Sequence, residues 1–132
     1  MPRTIVTPIQ KRFSDIDAFR HVNNVAQQMY FDVGKTDYYD RILGEDVLMG
    51  DLRVVTVSTA TDYLSQVRMS DRLRVETCCE RVGNKSMTLL QRLLAGERLC
   101  SESRSVLVAF DFPRQTGVRV PDTWRAQLLA DE

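Results

Sequence analysis

The chain of 132 residues is poor in the residues that build metal sites and disulfide frameworks. It contains a single histidine, His21, and three cysteines, Cys78, Cys79 and Cys100. A lone histidine does not make a metal site, and an odd number of cysteines does not make a disulfide framework. Cys78 and Cys79 are adjacent, and neighbours on a strand face opposite ways, so the sequence predicts free, buried or half-buried thiols and no metal centre.

The sequence also lacks an excess of charge and any long apolar run. Lysine plus arginine and aspartate plus glutamate number 18 each, which gives no reason to expect nucleic acid or an anionic membrane as a partner. No apolar run approaches the length of a membrane span, and the first residues do not form the apolar segment of a signal peptide. We therefore expect a cytoplasmic protein with one domain over residues 1–132.

Groups suited to acid, base or nucleophile chemistry are concentrated in residues 13–25. The segment contains Asp15, Asp17, His21, Asn23 and Asn24. Asn23 and Asn24 are good N-cap residues, because a side-chain oxygen there can accept from a backbone N–H of the first helical turn. The polar cluster should thus lie in a loop leading into a helix N-terminus, where unpaired N–H groups and the helix dipole favour an oxyanion.

The helix itself is predicted to run from the asparagine pair to about Leu43. Four apolar residues recur at helical spacing and predict one buried stripe: Val22, Val25, Met29 and Val33. Gly44 is typical of a helix C-terminus, although Gly34 is an unusual residue for a helix interior.

Beyond Leu43 the period of the sequence changes from helical to alternating. With residues 46–51 as a connection, the predicted strands are about 3–13 at a sheet edge, then 53–64, 73–80, 86–94 and 99–112. The order is strand, long helix and a meander of four strands. It predicts an α+β domain in which an antiparallel sheet curls round one long helix, with a core over about 3–112 and a tail over 113–132 that is irregular or a short helix.

That element order, together with Asp15-Ile-Asp-Ala-Phe-Arg-His-Val-Asn-Asn24, resembles the hotdog-fold thioesterases, specifically the acyl-CoA and 4-hydroxybenzoyl-CoA thioesterase-like group. The most specific part is D-x-x-x-H-V-N-N from Asp17 to Asn24, and Val82-Gly-Asn-Lys-Ser86 is a weaker match. Members of that group commonly carry a tyrosine about three residues after the asparagine pair, where this chain has Val25-Ala-Gln-Gln-Met29 and reaches Tyr30 later.

The resemblance implies an acyl-CoA thioesterase with Asp17 as nucleophile or general base and helix N-terminal amides that polarise the thioester carbonyl. It also implies homodimers or homotetramers with active sites between subunits. Coenzyme A would be part of the substrate, with acyl carrier protein as another possible carrier, and no separate cofactor is expected. The residues proposed to bind substrate are His21, Val22, Asn23, Asn24, Ser58, Thr59 and Ser86.

Each candidate also has a plainer interpretation. Asp17 could be a solvated acid of the loop, His21 could orient that loop, and Asn23 and Asn24 could be caps only. Asp15 is expected to be structural, paired with Arg12 or Arg20.

The later candidates have plainer interpretations too. Ser58, Thr59 and Tyr63 could line an acyl pocket from a neighbouring subunit or be ordinary sheet surface, and Ser86 could belong to a hairpin. Two alternative functions stay open: a hotdog dehydratase or hydratase acting on acyl thioesters, and a non-catalytic acyl-CoA-binding module.

Overall fold

The computed structural model describes residues 2–44 and 46–131. Its elements are β1 (Thr4–Ile9), a 3-10 turn (Phe13–Asp15), α1 (Asn24–Ile42), α2 (Asp46–Met49), β2 (Leu52–Tyr63), β3 (Leu73–Val82), β4 (Ser86–Ala95), β5 (Arg98–Asp111), β6 (Thr116–Val118) and α3 (Asp122–Leu129). The predicted α+β class, with one long helix packed on an antiparallel sheet, is confirmed.

The six strands form one sheet in the order β1-β3-β4-β5-β2, with β6 beside β5. β3, β4 and β5 are neighbours, but β2 pairs with β5, from Leu52 opposite Asp111 to Tyr63 opposite Ser101. The predicted four-strand meander is therefore wrong, because β2 joins the far edge of the sheet and β1 takes the place beside β3. β1 is an edge strand, as predicted.

α1 begins and ends where the local sequence indicates. The Asn23 side chain accepts a hydrogen bond from the Ala26 N–H at 2.7 Å, which makes Asn23 the N-cap. At the other end, Gly44 adopts a φ of +91° and its N–H donates to the Tyr39 carbonyl at 3.0 Å. Glycine adopts this left-handed conformation at little cost, so the helix stops here.

The helix face turned to the sheet is not the predicted one. Val25, Met29 and Val33 are 73%, 47% and 51% exposed, and of the predicted stripe only Val22 is buried. The buried residues of α1 are Ala26, Gln27, Tyr30, Phe31, Gly34, Lys35, Tyr38, Tyr39 and Ile42. α1 thus carries two apolar stripes, and the larger aromatic one packs on the sheet because it removes more apolar surface from water.

Gly34 lies where α1 approaches the sheet closely. A Cβ atom on this residue would lie 2.6 Å from Val75 Cγ1 and 3.0 Å from Gln91 Nε2. Val75 is fully buried and β-branched, so it cannot turn aside. The absence of a side chain at Gly34 is therefore a packing requirement.

We expect Gly34→Ala to lower the free energy of unfolding by about 1–2 kcal/mol. The 2.6 Å contact with Val75 puts the cost of overpacking in the upper part of its range, about 2–3 kcal/mol, and the gain in helix propensity returns only about 1 kcal/mol. Urea unfolding measures this difference. Thr36→Ala, at an exposed position of α1, is the matched control and should be neutral or slightly stabilising. A Gly34→Ala protein as stable as wild type would contradict the close packing.

The core has two apolar clusters along α1. One surrounds the C-terminal half of the helix and contains Tyr38, Tyr39, Ile42, Val47, Cys79, Met87, Leu89, Leu107, Ala109, Val120 and Leu128. The other surrounds the N-terminal half and contains Val22, Ala26, Tyr30, Phe31, Val67, Leu73, Val75, Leu93 and Cys100. Both halves of α1 are therefore packed against the sheet through apolar side chains.

Buried polar side chains separate the two clusters along the strands. This polar belt consists of Thr77 on β3, Gln91 on β4, and Ser101, Ser103 and Ser105 on β5, each at most 1% exposed. The Gln91 Nε2 donates to the Phe31 carbonyl at 2.9 Å and to Thr77 Oγ1 at 3.0 Å. These bonds partly offset the cost of burying polar groups in the core.

The cysteines and the tail agree in part with prediction. The three thiols are free, Cys78 half-buried and the other two buried, and burial raises the pKa of Cys79 to about 11. The tail was expected to be irregular or a short helix, and it contains the short helix α3 together with the strand β6. α2 lies in the segment 46–51, which was predicted only as a connection. Within the described residues, no helix is long and apolar enough to cross a membrane.

Candidate active site

A tight turn precedes α1 and carries Asp17 and His21. Ile16 and Val22 form an antiparallel bridge, and the Asp17 N–H donates to the His21 carbonyl at 3.0 Å. The Arg20 N–H donates back to the Asp17 carbonyl at 3.0 Å, and Arg20 adopts a left-handed φ of 65°. These bonds close residues 16–22 into a compact loop at the N-terminal end of the helix.

The Asp17 carboxylate has one fixed oxygen and one open oxygen. Its Oδ1 accepts from the backbone N–H of Phe19 at 2.9 Å and from that of His21 at 3.4 Å. Oδ2 has no hydrogen-bond partner among the described residues. The side chain is half-buried, so the turn orients the carboxylate while leaving one oxygen available for chemistry.

Asp15, the second carboxylate of the loop, is 2% exposed and fully engaged. The Tyr30 hydroxyl and the Arg12 N–H donate to Oδ2 at 2.5 Å and 2.9 Å, and the Arg12 guanidinium donates to Oδ1 at 3.0 Å. Burial raises the pKa of Asp15, but these hydrogen bonds outweigh it, so the pKa lies below its ordinary value. The predicted structural role with Arg12 as partner is confirmed, and Arg20 is not that partner.

Two backbone N–H groups near the helix start, where the oxyanion site was predicted, are already occupied by backbone partners. The Val22 N–H donates to the Val67 carbonyl at 2.7 Å, and the Asn23 N–H donates to the Asp15 carbonyl at 3.0 Å. These bonds tie the loop to residue 67 on one side and to the 3-10 turn on the other. The backbone N–H groups of Val22 and Asn23 are therefore not available to bind an oxyanion.

The first turn of α1 leaves two N–H groups open. The Ala26 N–H donates to the capping Asn23 Oδ1, as described above. The N–H groups of Asn24 and Val25 meet no hydrogen-bond acceptor in residues 2–44 or 46–131. The helix N-terminus therefore offers Asn24 and Val25 as donors at its positive end.

A pocket of about 280 Å³ lies at this end of the helix and is called here the helix-end pocket. Its walls are formed by Asp17, Phe19, His21, Val22, Asn24, Gln27, Tyr63, Leu64, Ser65 and Gln66. Four of the predicted site residues, Asp17, His21, Val22 and Asn24, thus come together, with Asn23 beside them as the cap. A larger groove of about 880 Å³ along β1 and the exposed face of α1 does not include Asp17.

Arg98 fixes the loop that forms the far wall of the pocket. Its guanidinium donates to the Ser65 hydroxyl, to the Gln66 carbonyl at 2.6 Å and to Asp71 Oδ2 at 2.8 Å. These hydrogen bonds fix both ends of the segment 64–72, which connects β2 to β3. The pocket wall is accordingly part of a hydrogen-bonded structure.

Three predicted substrate-binding residues lie away from the pocket within one chain. Ser58 and Thr59 lie on β2 four or five residues before Tyr63, roughly 15 Å along the strand. Ser86 begins β4 at the level of Val55, roughly 25 Å from the Tyr63 end. They can reach a helix-end pocket only if it belongs to another copy of the chain.

The pocket also contains residues that sequence reasoning missed or misplaced. Tyr63 lines the pocket of its own chain, with its hydroxyl 2.9 Å from Gln28 Nε2. The sequence leaves two interpretations for it, ordinary sheet surface or the acyl pocket of a neighbouring subunit. Gln27 was not a candidate at all. Its spacing of three and four residues from Asn24 and Asn23 puts it on the same helix face, which was a usable signal.

Among the described residues, no group of three His, Cys, Asp or Glu side chains is placed to hold a metal ion.

The family of the chain follows from its match to a family model. The model of the thioesterase-like superfamily matches residues 12–128, which include the turn, α1 and the whole of β2 to β6. The chain belongs to the thioesterase-like superfamily. This agrees with the family resemblance carried by Asp17 to Asn24.

The chain is also similar to an individual curated relative and to solved structures. The uncharacterized protein YsmA of Bacillus subtilis is 32% identical over 83 residues, which are 61% of this chain and 54% of YsmA. The match thus spans about half the length of that curated relative. The structure of a predicted thioesterase from Bacillus stearothermophilus is 28% identical with a TM-score of 0.87, covering 96% of this chain and 94% of that one.

A third similar structure is a thioesterase from Thermus thermophilus complexed with coenzyme A and zinc. It is 22% identical with a TM-score of 0.83, covering 93% of this superfamily member and 90% of the Thermus chain. At this identity the likeness shows the fold alone. The hotdog fold expected from the sequence is confirmed by these structural matches.

Proposed function

We propose that this member of the thioesterase-like superfamily is an acyl-CoA thioesterase that hydrolyses a thioester to the free acid and coenzyme A. The observation that carries the proposal is the Asp17 carboxylate, with Oδ1 held by two backbone N–H groups and Oδ2 open in the helix-end pocket. Family membership supports thioester chemistry at this pocket.

The chemistry can proceed from Asp17 by two routes. In the first, Oδ2 attacks the carbonyl carbon, the C–S bond breaks, and the coenzyme A thiolate leaves and takes a proton from solvent. Water then hydrolyses the mixed anhydride and restores the carboxylate. In the second, Asp17 accepts a proton from a water molecule as that water attacks the carbonyl carbon. A thiolate with a pKa of roughly 8.5, taking cysteine as a model, leaves readily in both routes.

The negative charge that develops on the carbonyl oxygen is assigned to the start of α1. The N–H groups of Asn24 and Val25 are open there, and the positive end of the helix dipole adds to their effect. His21 lines the same pocket, and its imidazole has no hydrogen-bond partner among the described residues, so it is available to donate to the carbonyl. Asn23 then acts through the cap that shapes this helix end.

Coenzyme A is proposed as the thiol carrier. The Thermus thermophilus thioesterase that shares this fold is complexed with coenzyme A, which supports the same carrier here. Acyl carrier protein is the alternative carrier. The two carriers are distinguished by letting the coenzyme A ester and the acyl carrier protein ester of the same acid compete for the protein.

The proposal includes a homodimer that brings Ser58, Thr59 and Ser86 of one copy towards the pocket of the other. β2 is a twelve-residue edge strand, and residues 54–61 of it carry no charge, a combination that favours pairing with another strand. The exposed α1 residues Val25, Met29 and Val33 supply an apolar surface for the contact. Homotetramers formed from such dimers are compatible with it.

We expect an equilibrium mass of two or four chains in analytical ultracentrifugation, because both the open edge and the apolar stripe are covered only by association. A Val57→Asp substitution at the irregularity of β2 should shift the protein towards monomer, since a charge at the pairing edge opposes association. A wild-type mass of one chain would contradict a site shared between subunits.

The function is tested by measuring free thiol released from a panel of acyl-CoA esters, aromatic and aliphatic, from short to long. Turnover of one ester class supports the thioesterase and finds its acyl group. Coenzyme A binding without cleavage of any ester favours the binding module. Hydration of an enoyl-CoA, seen as loss of its conjugated absorbance, favours the dehydratase or hydratase.

A further inference from the structure

Gln27 presents a hydrogen-bond donor to the helix-end pocket that no described residue accepts. The side chain is only 3% exposed, and the Ser101 hydroxyl, itself fully buried, donates to its Oε1 at 2.8 Å. That bond fixes the orientation of the amide. Nε2 is left without an acceptor among the described residues, and Gln27 is part of the pocket wall.

The position of Gln27 relates this donor to the reacting carbonyl. Gln27 follows Asn24 by three residues, so the two lie on the same helix face about one turn apart, roughly 5 Å along the axis. With the thioester oxygen placed at the open N–H of Asn24, an acyl chain running into the pocket would pass the Gln27 amide about two or three bonds beyond the carbonyl. An oxygen on C3 of the acyl group would then lie within hydrogen-bond reach of that amide.

The remaining walls of the pocket are also largely polar. Tyr63, Ser65 and Gln66 line the pocket together with Gln27. A volume of about 280 Å³ is at the lower end of ligand pockets, which suits a short acyl group. An all-carbon chain would leave the buried amide of Gln27 unpaired, and a site built to donate a hydrogen bond discriminates against an analogue that lacks the acceptor.

We propose that Gln27 is a specificity-determining residue that donates a hydrogen bond to an oxygen on C3, so that the pocket selects short 3-oxygenated acyl thioesters. The inference rests on the proposed thioester substrate and the placement of its carbonyl at Asn24. Ser101 is the positioning residue, because its hydroxyl turns Nε2 of Gln27 towards the ligand.

The test compares 3-hydroxybutyryl-CoA, acetoacetyl-CoA and butyryl-CoA with wild type, Gln27→Leu, Ser101→Ala and Gln10→Leu. We expect wild type to favour one or both oxygenated esters over butyryl-CoA by about tenfold in kcat/KM. Gln27→Leu should lose that preference, so that its kcat/KM values for the three esters become equal within about twofold. Ser101→Ala should lose part of the preference for oxygenated esters. Gln10→Leu makes the same change outside the pocket wall and should keep the whole preference.

The hydroxy and oxo esters show which oxygen the amide prefers. Equal kcat/KM for all three esters in wild type, or a Gln27→Leu variant that keeps the preference, overturns the inference and leaves the thioesterase in place.

Binding of the same three esters, measured by titration calorimetry, keeps the inference testable if no ester is cleaved. If wild type binds an oxygenated ester with a dissociation constant about tenfold lower than that of butyryl-CoA, and Gln27→Leu binds the three esters equally, the role of Gln27 is supported even though the thioesterase proposal fails. Equal dissociation constants for the three esters in wild type overturn the role of Gln27. Ser101→Ala provides the second variant should Gln27→Leu not fold.

Discussion

Asp17→Asn is expected to lower kcat for the best acyl-CoA substrate by about 10³-fold, within the range for loss of a nucleophile or general base. The asparagine keeps the size of the side chain, and its Oδ1 can still accept from the N–H groups of Phe19 and His21. The turn should therefore keep its shape. What disappears is the anionic Oδ2, which both routes of hydrolysis require.

The assay is thiol release from the ester that wild type cleaves best, with the affinity for that ester measured separately. Asp40→Asn makes the same chemical change at an exposed position of α1 outside the helix-end pocket, and it should leave kcat unchanged. If Asp17→Asn were as fast as wild type, Asp17 would be a loop acid, and another group would have to activate the water. Loss of substrate affinity with unchanged kcat would likewise remove its chemical role.

Asp15→Ala is expected to lower the free energy of unfolding by about 3 kcal/mol, because it removes a buried, charged acceptor and leaves the buried Tyr30 hydroxyl without its partner. Arg12 contributes less to this figure, since its side chain is 56% exposed and solvent screens its charge. Tyr30→Phe removes one hydrogen bond to a charged group and should cost about 2 kcal/mol. Urea unfolding of the two single variants and the double variant measures their coupling.

The same pair predicts how stability depends on pH. The pKa of Asp15 is lower in the folded protein than its ordinary value of about 3.9, so the carboxylate stabilises the fold above that value. This contribution is lost as the pH falls through the lower, folded value. The difference in unfolding free energy between wild type and Asp15→Ala should therefore be large at pH 7 and shrink below about pH 4. A difference that is constant from pH 7 to pH 3 would contradict the assignment.

The features predicted correctly are those decided by a few neighbouring residues. Asn23 forms the N-cap within its own first turn, Gly44 ends the helix, and Asp15 pairs with Arg12 three residues away. In each case the interaction is complete within four or five residues. Local sequence therefore determines the loop, the helix ends and the acidic pair.

Features that depend on distant partners were less predictable. Both apolar stripes of α1 have helical spacing, and only the sheet decides that Phe31 and Tyr38 are buried while Met29 stays exposed. The place of β2 beside β5 likewise depends on residues some forty positions apart, such as Thr61 and Ser103. No periodicity in the sequence encodes that choice of edge.

The candidate site divides in the same way. The motif from Asp17 to Asn24 locates the turn and the helix start, but the occupied N–H groups of Val22 and Asn23 depend on where Val67 and Asp15 lie in the fold. The donor at Gln27 depends on Ser101, which is 74 residues away. A motif thus locates the pocket, whereas the polarity of its walls depends on the tertiary structure.

The polar belt between the two apolar clusters has a consequence for how such a protein can change during evolution. Ser101, Ser103 and Ser105 bond to Gln27, Thr61 and Thr59, outside both clusters. A substitution at Ser101 can thus alter the orientation of Gln27 in the helix-end pocket while the apolar packing of both clusters on α1 is retained. If Gln27 selects the acyl group as proposed, the β5 residue that orients it, Ser101, is separate from the β5 residues that pack in the two clusters. A new acyl preference can then arise while the apolar core is kept.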